Sequence, residues 1–398
     1  VVDAAKVITQ TVRDLIEKIM LQQQEVTNLI NDLNNRQDSK SFSYALSAGL
    51  IAIAIVTFGL TMLFSTSYAT VGEKFFNAQL RWAIISIFAM LGVIFVGYKK
   101  LGQWSPYLMG FLALLLIWAL FSPKINGAHR RTVIPGVSMR FQPSELAKVT
   151  LALFGAKVVA EKLRYVPHFK QLKVFLWPGM AIVGILLLVA GGRDLGTTLL
   201  LCTAMGALLF SAGIQKRLFM VIPIGIALLA FYLLFLDPER LSRVTSFTDP
   251  GNTELQAGDG YQLWNSLLAL GSGGWTGVGF MESKMKQLYL PESHTDFILA
   301  VVGEELGYIG AAVVLLLFAL LILRGYWIAL HAKDRFGALM VGGISTLMAL
   351  QVFFNIGVVT NFLPATGISL PFFSYGGTAL LIQLFEMGLV LSVSRDCD

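Results

Sequence analysis

The chain has 398 residues, of which 56% are hydrophobic and only 14% charged, with a net charge of +6. A soluble globular chain carries about a quarter charged residues, so this balance excludes an ordinary soluble domain. The basic residues fall between apolar runs, which assigns the positive charge to membrane orientation and not to nucleic acid.

Residues 1–40 stand apart from the rest. Ile8, Val12, Leu15, Ile19, Gln22, Val26, Leu29 and Leu33 recur at alternating spacings of four and three, with Gln22 as the one polar position. That is the seam of a heptad helix. The segment reads as an amphipathic cytoplasmic helix, packed on its own chain or on another helix, or as a fused segment. It shows no h-region or cleavage site, so a signal peptide is not expected.

Residues 41–398 are expected to form a transmembrane domain. A hydrocarbon core about 30 Å thick takes roughly 20 apolar residues as a helix. Spans are predicted near 44–64, 79–98, 106–122, 144–161, 174–191, 196–213, 217–236, 296–330, 336–360 and 373–394. Glu145, Lys148, Lys157 and Glu161 interrupt the fourth, and the charged start of 296–330 places its membrane part in the later two-thirds. The predicted fold is an all-α polytopic bundle of ten transmembrane helices, with a large external loop, 237–295, between the seventh and eighth.

Loop charges orient this bundle. With both termini cytoplasmic, Lys99 and Lys100, the basic residues of 162–173, Lys216 and Arg217, and Arg324, Lys333 and Arg335 all fall inside, as the loop-charge rule requires. One external connector, 123–143, breaks the rule with Lys124, Arg130, Arg131, Arg140 and His129. It reads as an anion site. The loop 237–295 and the segment NFLPATGISLPF (361–372) lie on the same face. Irregular backbone at membrane depth is tolerated where it is buried in protein or lines a wet cavity.

Ionisable residues beside or within the spans are the functional candidates. Asp194, after Gly191-Gly192-Arg193, reads either as a helix cap or as a site carboxylate. Glu145 and Lys148 share a helix face and form either a structural ion pair or part of a site. Ser144 or the preceding turn is expected to cap that helix, with Pro143 in its first turn. Glu386 lies deep in the last span with no partner evident from sequence. Pro291–Asp296 leads into the apolar run FILAVV and then Glu304-Glu305; Ser293 and Asp296 read as caps, and Asp296 also as a partly desolvated general base. Gly271–Gly274 lacks the Gly-Lys-Ser/Thr of a phosphate loop and reads as a flexible turn. Cys202 and Cys397 have no metal-ligand spacing.

Five stretches in one order carry a resemblance: RFQPSELAK (140–148), RDLGTT (193–198), GSGGWTGVGF (271–280), LPESHTDFILAVVGEELG (290–307) and LPATGISLPFFSYGGTALL (363–381). They resemble the signatures of the SEDS family, the FtsW/RodA group of peptidoglycan glycosyltransferases, over about 44–394. RVTSF (243–247), GYQ (260–262) and SKMKQLYLPE (283–292) look closer to the division polymerase group, FtsW. Arg193, where the family usually has proline, and Thr132, where it usually has an aromatic, depart from the pattern.

The resemblance implies polymerisation of lipid II at the outer face of a bacterial cytoplasmic membrane. It implies catalysis by Asp296 and substrate binding by Arg140, Glu145, Lys148 and Asp194, with Arg130, Arg131 and His294 nearby. It also implies a class B penicillin-binding protein as transpeptidase partner, among other division or elongation proteins. A divalent cation, Mg2+ or Mn2+, at Glu145 and Asp194 is left open. A flippase or transporter for a lipid-linked precursor is the competing class, and it would want these charges at the bilayer midplane.

Overall fold

In a computed structural model, residues 43–68, 72–122, 132–133, 140–163, 168–213, 247, 260–287 and 289–397 are described. The heptad segment, Arg130, Arg131 and the predicted span 217–236 lie outside them. The described residues form α1 (Ser43–Tyr68), α2 (Lys74–Val96), α3 (Tyr98–Leu120), a hairpin of β1 (Thr132–Val133) and β2 (Arg140–Phe141), α4 (Pro143–Lys157), α5 (His168–Gly191), α6 (Leu195–Ser211), α7 (Tyr261–Gly273), α8 (Ile298–His331), α9 (Arg335–Val359) and α10 (Gly377–Ser394). A six-residue π-helical stretch, Val158–Leu163, continues α4.

Seven of these helices, α1–α3, α5 and α8–α10, are long and apolar enough to cross a membrane. At about 1.5 Å of rise per residue, the 23 residues of α2 reach past the hydrocarbon core. The chain is a multi-pass membrane protein. The seventeen-residue α6 is shorter but largely buried, and twelve residues of fifteen-residue α4 are buried. Burial separates two kinds of helix. In α10, 78% of the span is buried inside the protein, against 22% in α2 and α8. Phe88 and Phe95 on α2 and Leu316 and Leu323 on α8 face outward, as lipid-facing residues should. The centre is thus α4, α6, α9 and α10, with α9 packed on both α4 and α6. Glu145, Lys148, Asp194 and Glu386 sit on this inner set, and Asp296 precedes α8 beside it.

The predicted loop 237–295 proves partly helical. α7 packs along α8, and its Gly273 approaches so closely that a Cβ there would lie 1.9 Å from the Gly303 carbonyl oxygen. Gly271–Gly273 therefore close a helix and do not make the flexible turn expected; Gly274, at φ 54°, ends it. α8 itself bends at Gly307 (φ 68°), where Gly277 (φ 82°) abuts the Glu305 carbonyl. Beyond this bend lies the apolar stretch expected to cross the membrane.

Candidate functional site

The site is built where helices α4, α6 and α8 begin and α9 ends. α4 opens with Pro143 in its first turn, where the missing N–H costs nothing. Its N-cap position is Gln142, without a side-chain cap, so the expected capping by Ser144 does not occur. Ser144 Oγ instead donates to Asp194 Oδ2 at 2.7 Å, and Gln142 Nε2 donates to the same oxygen at 3.0 Å. Asp194 occupies the N-cap position of α6, yet its side chain makes no cap there. Its backbone carbonyl accepts from Thr198 Oγ1, while its buried carboxylate is turned toward α4. The capping alternative for Asp194 is thereby corrected: the side-chain donors of α4 outcompete the helix's own amides.

One turn into α4, Lys148 Nζ donates to both oxygens of Glu145, at 2.9 and 2.8 Å. The pair is almost wholly buried, with side-chain exposures of 3% and 8%. Such a pair persists because attraction at short range offsets the cost of taking both charges out of water; removing either one leaves a buried ion. Glu386 of α10 gains a context that sequence could not give it. It is buried, within electrostatic range of Lys148 and Glu145, and its Oε1 has no hydrogen-bond partner among the described residues. Lys148 also lines a small cavity with Leu151, Leu201, Met205, Gly343 and Leu347.

Asp296 is half-buried at the end of the turn 291–297. The N-cap position of α8 falls on Phe297, so neither Ser293 nor Asp296 occupies it as expected. Glu292, at φ 54°, bends the chain, and Thr295 N and Oγ1 close the turn on the Glu292 carbonyl. The Asp296 carbonyl accepts from Asn355 Nδ2 at 2.7 Å, and the same nitrogen donates to the Ile368 carbonyl at 3.0 Å. His294 packs against Phe75 and Tyr375, with centroids 4.7 and 5.7 Å apart, and its carbonyl accepts from Tyr375 N at 2.9 Å.

The segment 361–376 joins the two halves. Gly196, two residues after Asp194, lies against the Thr366 carbonyl and Ile368, and Ile368 is tied through Asn355 to Asp296. Glu145, Lys148 and Asp194 thus form one group, and Asp296 with His294 is held to it by this segment. Arg140 pairs with Val133 in the hairpin immediately before α4; its side chain, like Arg130 and Arg131, lies outside the described part.

Sequence reasoning missed a second buried group that anchors the turn. Lys286 Nζ lies 2.7 Å from Glu305 Oε1 and 3.0 Å from Ser65 Oγ, and Met281 N donates to Glu305 Oε2. Glu304 accepts from Ser283 Oγ at 2.5 Å and Lys284 N at 2.9 Å. Ser283 and Lys286 have the Ser-x-x-Lys spacing of an acyl-transfer nucleophile, but both are buried and committed to carboxylates, so they fasten the loop. The signal in the sequence was a lysine shortly before two glutamates inside an apolar run. Nothing local paired them.

Of the two carboxylates proposed for a metal, Asp194 accepts at Oδ2 from Ser144 and Gln142, and Glu145 is held on both oxygens by Lys148. An ammonium on both oxygens of Glu145 repels a second cation, so Glu145 as placed does not fit a divalent ion. No group of three His, Cys, Asp or Glu converges among the described residues.

Comparison with known proteins places this architecture. A protein of Geobacter sp. (strain M18) named "Probable peptidoglycan glycosyltransferase FtsW" is 37% identical over 88% of this chain and 96% of its own length. Stage V sporulation protein E of Bacillus subtilis is 37% identical over 90% and 98%. Among solved structures, a chain from a work on "Structural coordination of polymerization and crosslinking by a peptidoglycan synthase complex" superposes with a TM-score of 0.73 at 27% identity, covering 88% of this chain and 97% of that one. The rod shape determining protein RodA of Thermus thermophilus follows at 0.66 and 26%, covering 88% and 96%. Residues 45–398 match the profile of the cell cycle proteins FtsW, RodA and SpoVE, and the chain belongs to that family, on its FtsW-like side.

Proposed function

We propose that the chain is a peptidoglycan glycosyltransferase that polymerises lipid II into glycan strands and releases undecaprenyl diphosphate. The observation that carries it is the convergence of Asp194, the Glu145–Lys148 pair and Asp296 at one end of the bundle, in a chain whose relatives bear that activity in their names. The reaction joins a sugar hydroxyl to an anomeric carbon, breaks the bond to the diphosphate, and frees one proton. Asp296, half in water, takes that proton in the transition state. Arg140, Arg130 and Arg131 neutralise charge growing on the diphosphate, with the Lys148–Glu145 pair behind them; a guanidinium fork suits phosphate oxygens. Glu145 holds the ammonium of Lys148 in place. His294 presents its ring on the same turn as Asp296. No step passes through a metal.

The loop charges support an active site on the external face of a bacterial cytoplasmic membrane, with both termini inside. The peptidoglycan synthase complex that resembles this chain supports a class B penicillin-binding protein as the transpeptidase partner, in a division assembly. The test is purified protein with labelled lipid II, alone and with that partner. Asp296→Asn is expected to abolish glycan strands while the protein still inserts and folds. Wild-type polymer from this variant would end the proposal. Lys148→Met is expected to weaken donor use by at least an order of magnitude, in line with the loss of the charge behind the diphosphate site.

A further inference from the structure

We infer that Asn355 is a positioning residue for Asp296: it fixes the peptide on which the base is mounted to the segment 361–376. The inference rests on the reading of Asp296 as the base. Asn355 is fully within the protein, on the last turns of α9, facing both the start of α8 and that segment. Its one amide nitrogen serves two backbone acceptors, the carbonyls of Asp296 and Ile368. A side-chain amide has two N–H groups, so both are spent on joining these strands of irregular chain.

Asn355 serves the two segments at the expense of its own satisfaction. Its Oδ1 is buried without a partner among the described residues, and an unmatched buried acceptor is costly. An apolar side chain would avoid that cost but would lose the link. Two residues before Asp296, the His294 carbonyl accepts from Tyr375 N, so the His294–Thr295 and Asp296–Phe297 peptides, which bracket Thr295-Asp296, are both tied to the same segment. That segment is itself stiffened: Leu370 N donates to Ser374 Oγ, and Phe372 N to Gln383 Oε1 at 2.6 Å. The base is therefore carried between two fixed carbonyls, and Asn355 supplies the one nearest to it. Loss of the bond frees the Asp296–Phe297 peptide to rotate. A displacement of about 1 Å at a reacting group is enough to cost on the order of a hundredfold in rate.

The experiment compares Asn355→Leu, which keeps the branched outline of the side chain and removes the donor, with Asn355→Ser, which loses volume and keeps a donor. Each is purified, checked for folding by thermal unfolding, and assayed with lipid II for kcat and KM. The expected result is a fall in kcat of roughly 10- to 100-fold for Asn355→Leu with KM within about twofold, and a smaller fall for Asn355→Ser. A purely space-filling role gives the reverse order, and that order would overturn the inference. If Asn355→Leu does not fold, Asn355→Ser decides alone: loss through KM with unchanged kcat refutes it. Asp296→Asn runs in parallel. Full activity there sinks the base itself, whereas an inactive Asp296→Asn beside a normal Asn355→Leu sinks only the positioning role.

Discussion

Lys286→Met is the sharpest test of how the loop bearing the base is fastened. The lysine and Glu305 have side-chain exposures of 1% and 0%, so water cannot replace either partner. Removing the ammonium leaves Glu305 with Ser65 Oγ and Met281 N as donors but with no counter-charge at hydrogen-bond distance among the described residues. Breaking one half of a buried pair costs about 3–5 kcal/mol, far more than the same deletion on a surface, where it is about 0–1 kcal/mol. Lys286→Met in detergent micelles should lower the unfolding temperature by on the order of 5 °C. The second substitution Glu305→Gln, added to it, should restore most of the loss, because the amide oxygen still accepts from Ser65 and Met281 without carrying charge. Thermal unfolding of the two single variants and the double variant closes the cycle. Equal stability for Lys286→Met and wild type, or a double variant worse than the single, would refute the reasoning.

Three further outcomes follow from the same geometry. Gly273→Ala sets a Cβ 1.9 Å from the Gly303 carbonyl, against backbone that cannot swing aside, whereas Gly271→Ala meets nothing within 4 Å. The first should destabilise by about 1–3 kcal/mol and the second should be neutral or stabilising by up to about 1 kcal/mol, measured by thermal unfolding; similar effects would mean α7 does not press on α8. Asp194→Ala removes the acceptor of Ser144 Oγ and one of the two acceptors of Gln142 Nε2, which keeps Ser144 Oγ, and should cost about 1–3 kcal/mol, with Asp194→Asn recovering part of it. Phe75→Ala should loosen His294 and Tyr375 and lower glycan synthesis, with Phe75→Leu intermediate; unchanged rates for both would remove the aromatic cluster from the site's support.

Much of the fold was legible because a membrane imposes a one-dimensional rule. Apolar runs of about 20 residues must be helices, so α1–α3, α5 and α8–α10 could be read off the chain. The rule was weaker where burial is in protein: α4, expected at 144–161 and found from Pro143, is interrupted by Glu145 and Lys148 and is the least apolar of the predicted spans, and α7 lies in what composition marked as loop. Asp296, Asp194 and the Glu145–Lys148 pair were legible as candidates because charge beside apolar sequence is rare and costly. Their chemistry was not, since Asp194 and Asp296 read equally well as helix caps.

The sequence by itself determined that the chain crosses a membrane repeatedly and which ionisable residues stand out. Spacing along one helix also decided the Glu145–Lys148 pair, because residues three apart must meet. Only the tertiary structure decided that Asp194 turns from its own helix to Ser144 and Gln142, that Lys286 finds Glu305, and that Asn355 ties Asp296 to Ile368. The physical reason is common to all three. Each contact joins segments far apart in the chain, so its geometry is fixed by how buried helices pack and not by any local propensity.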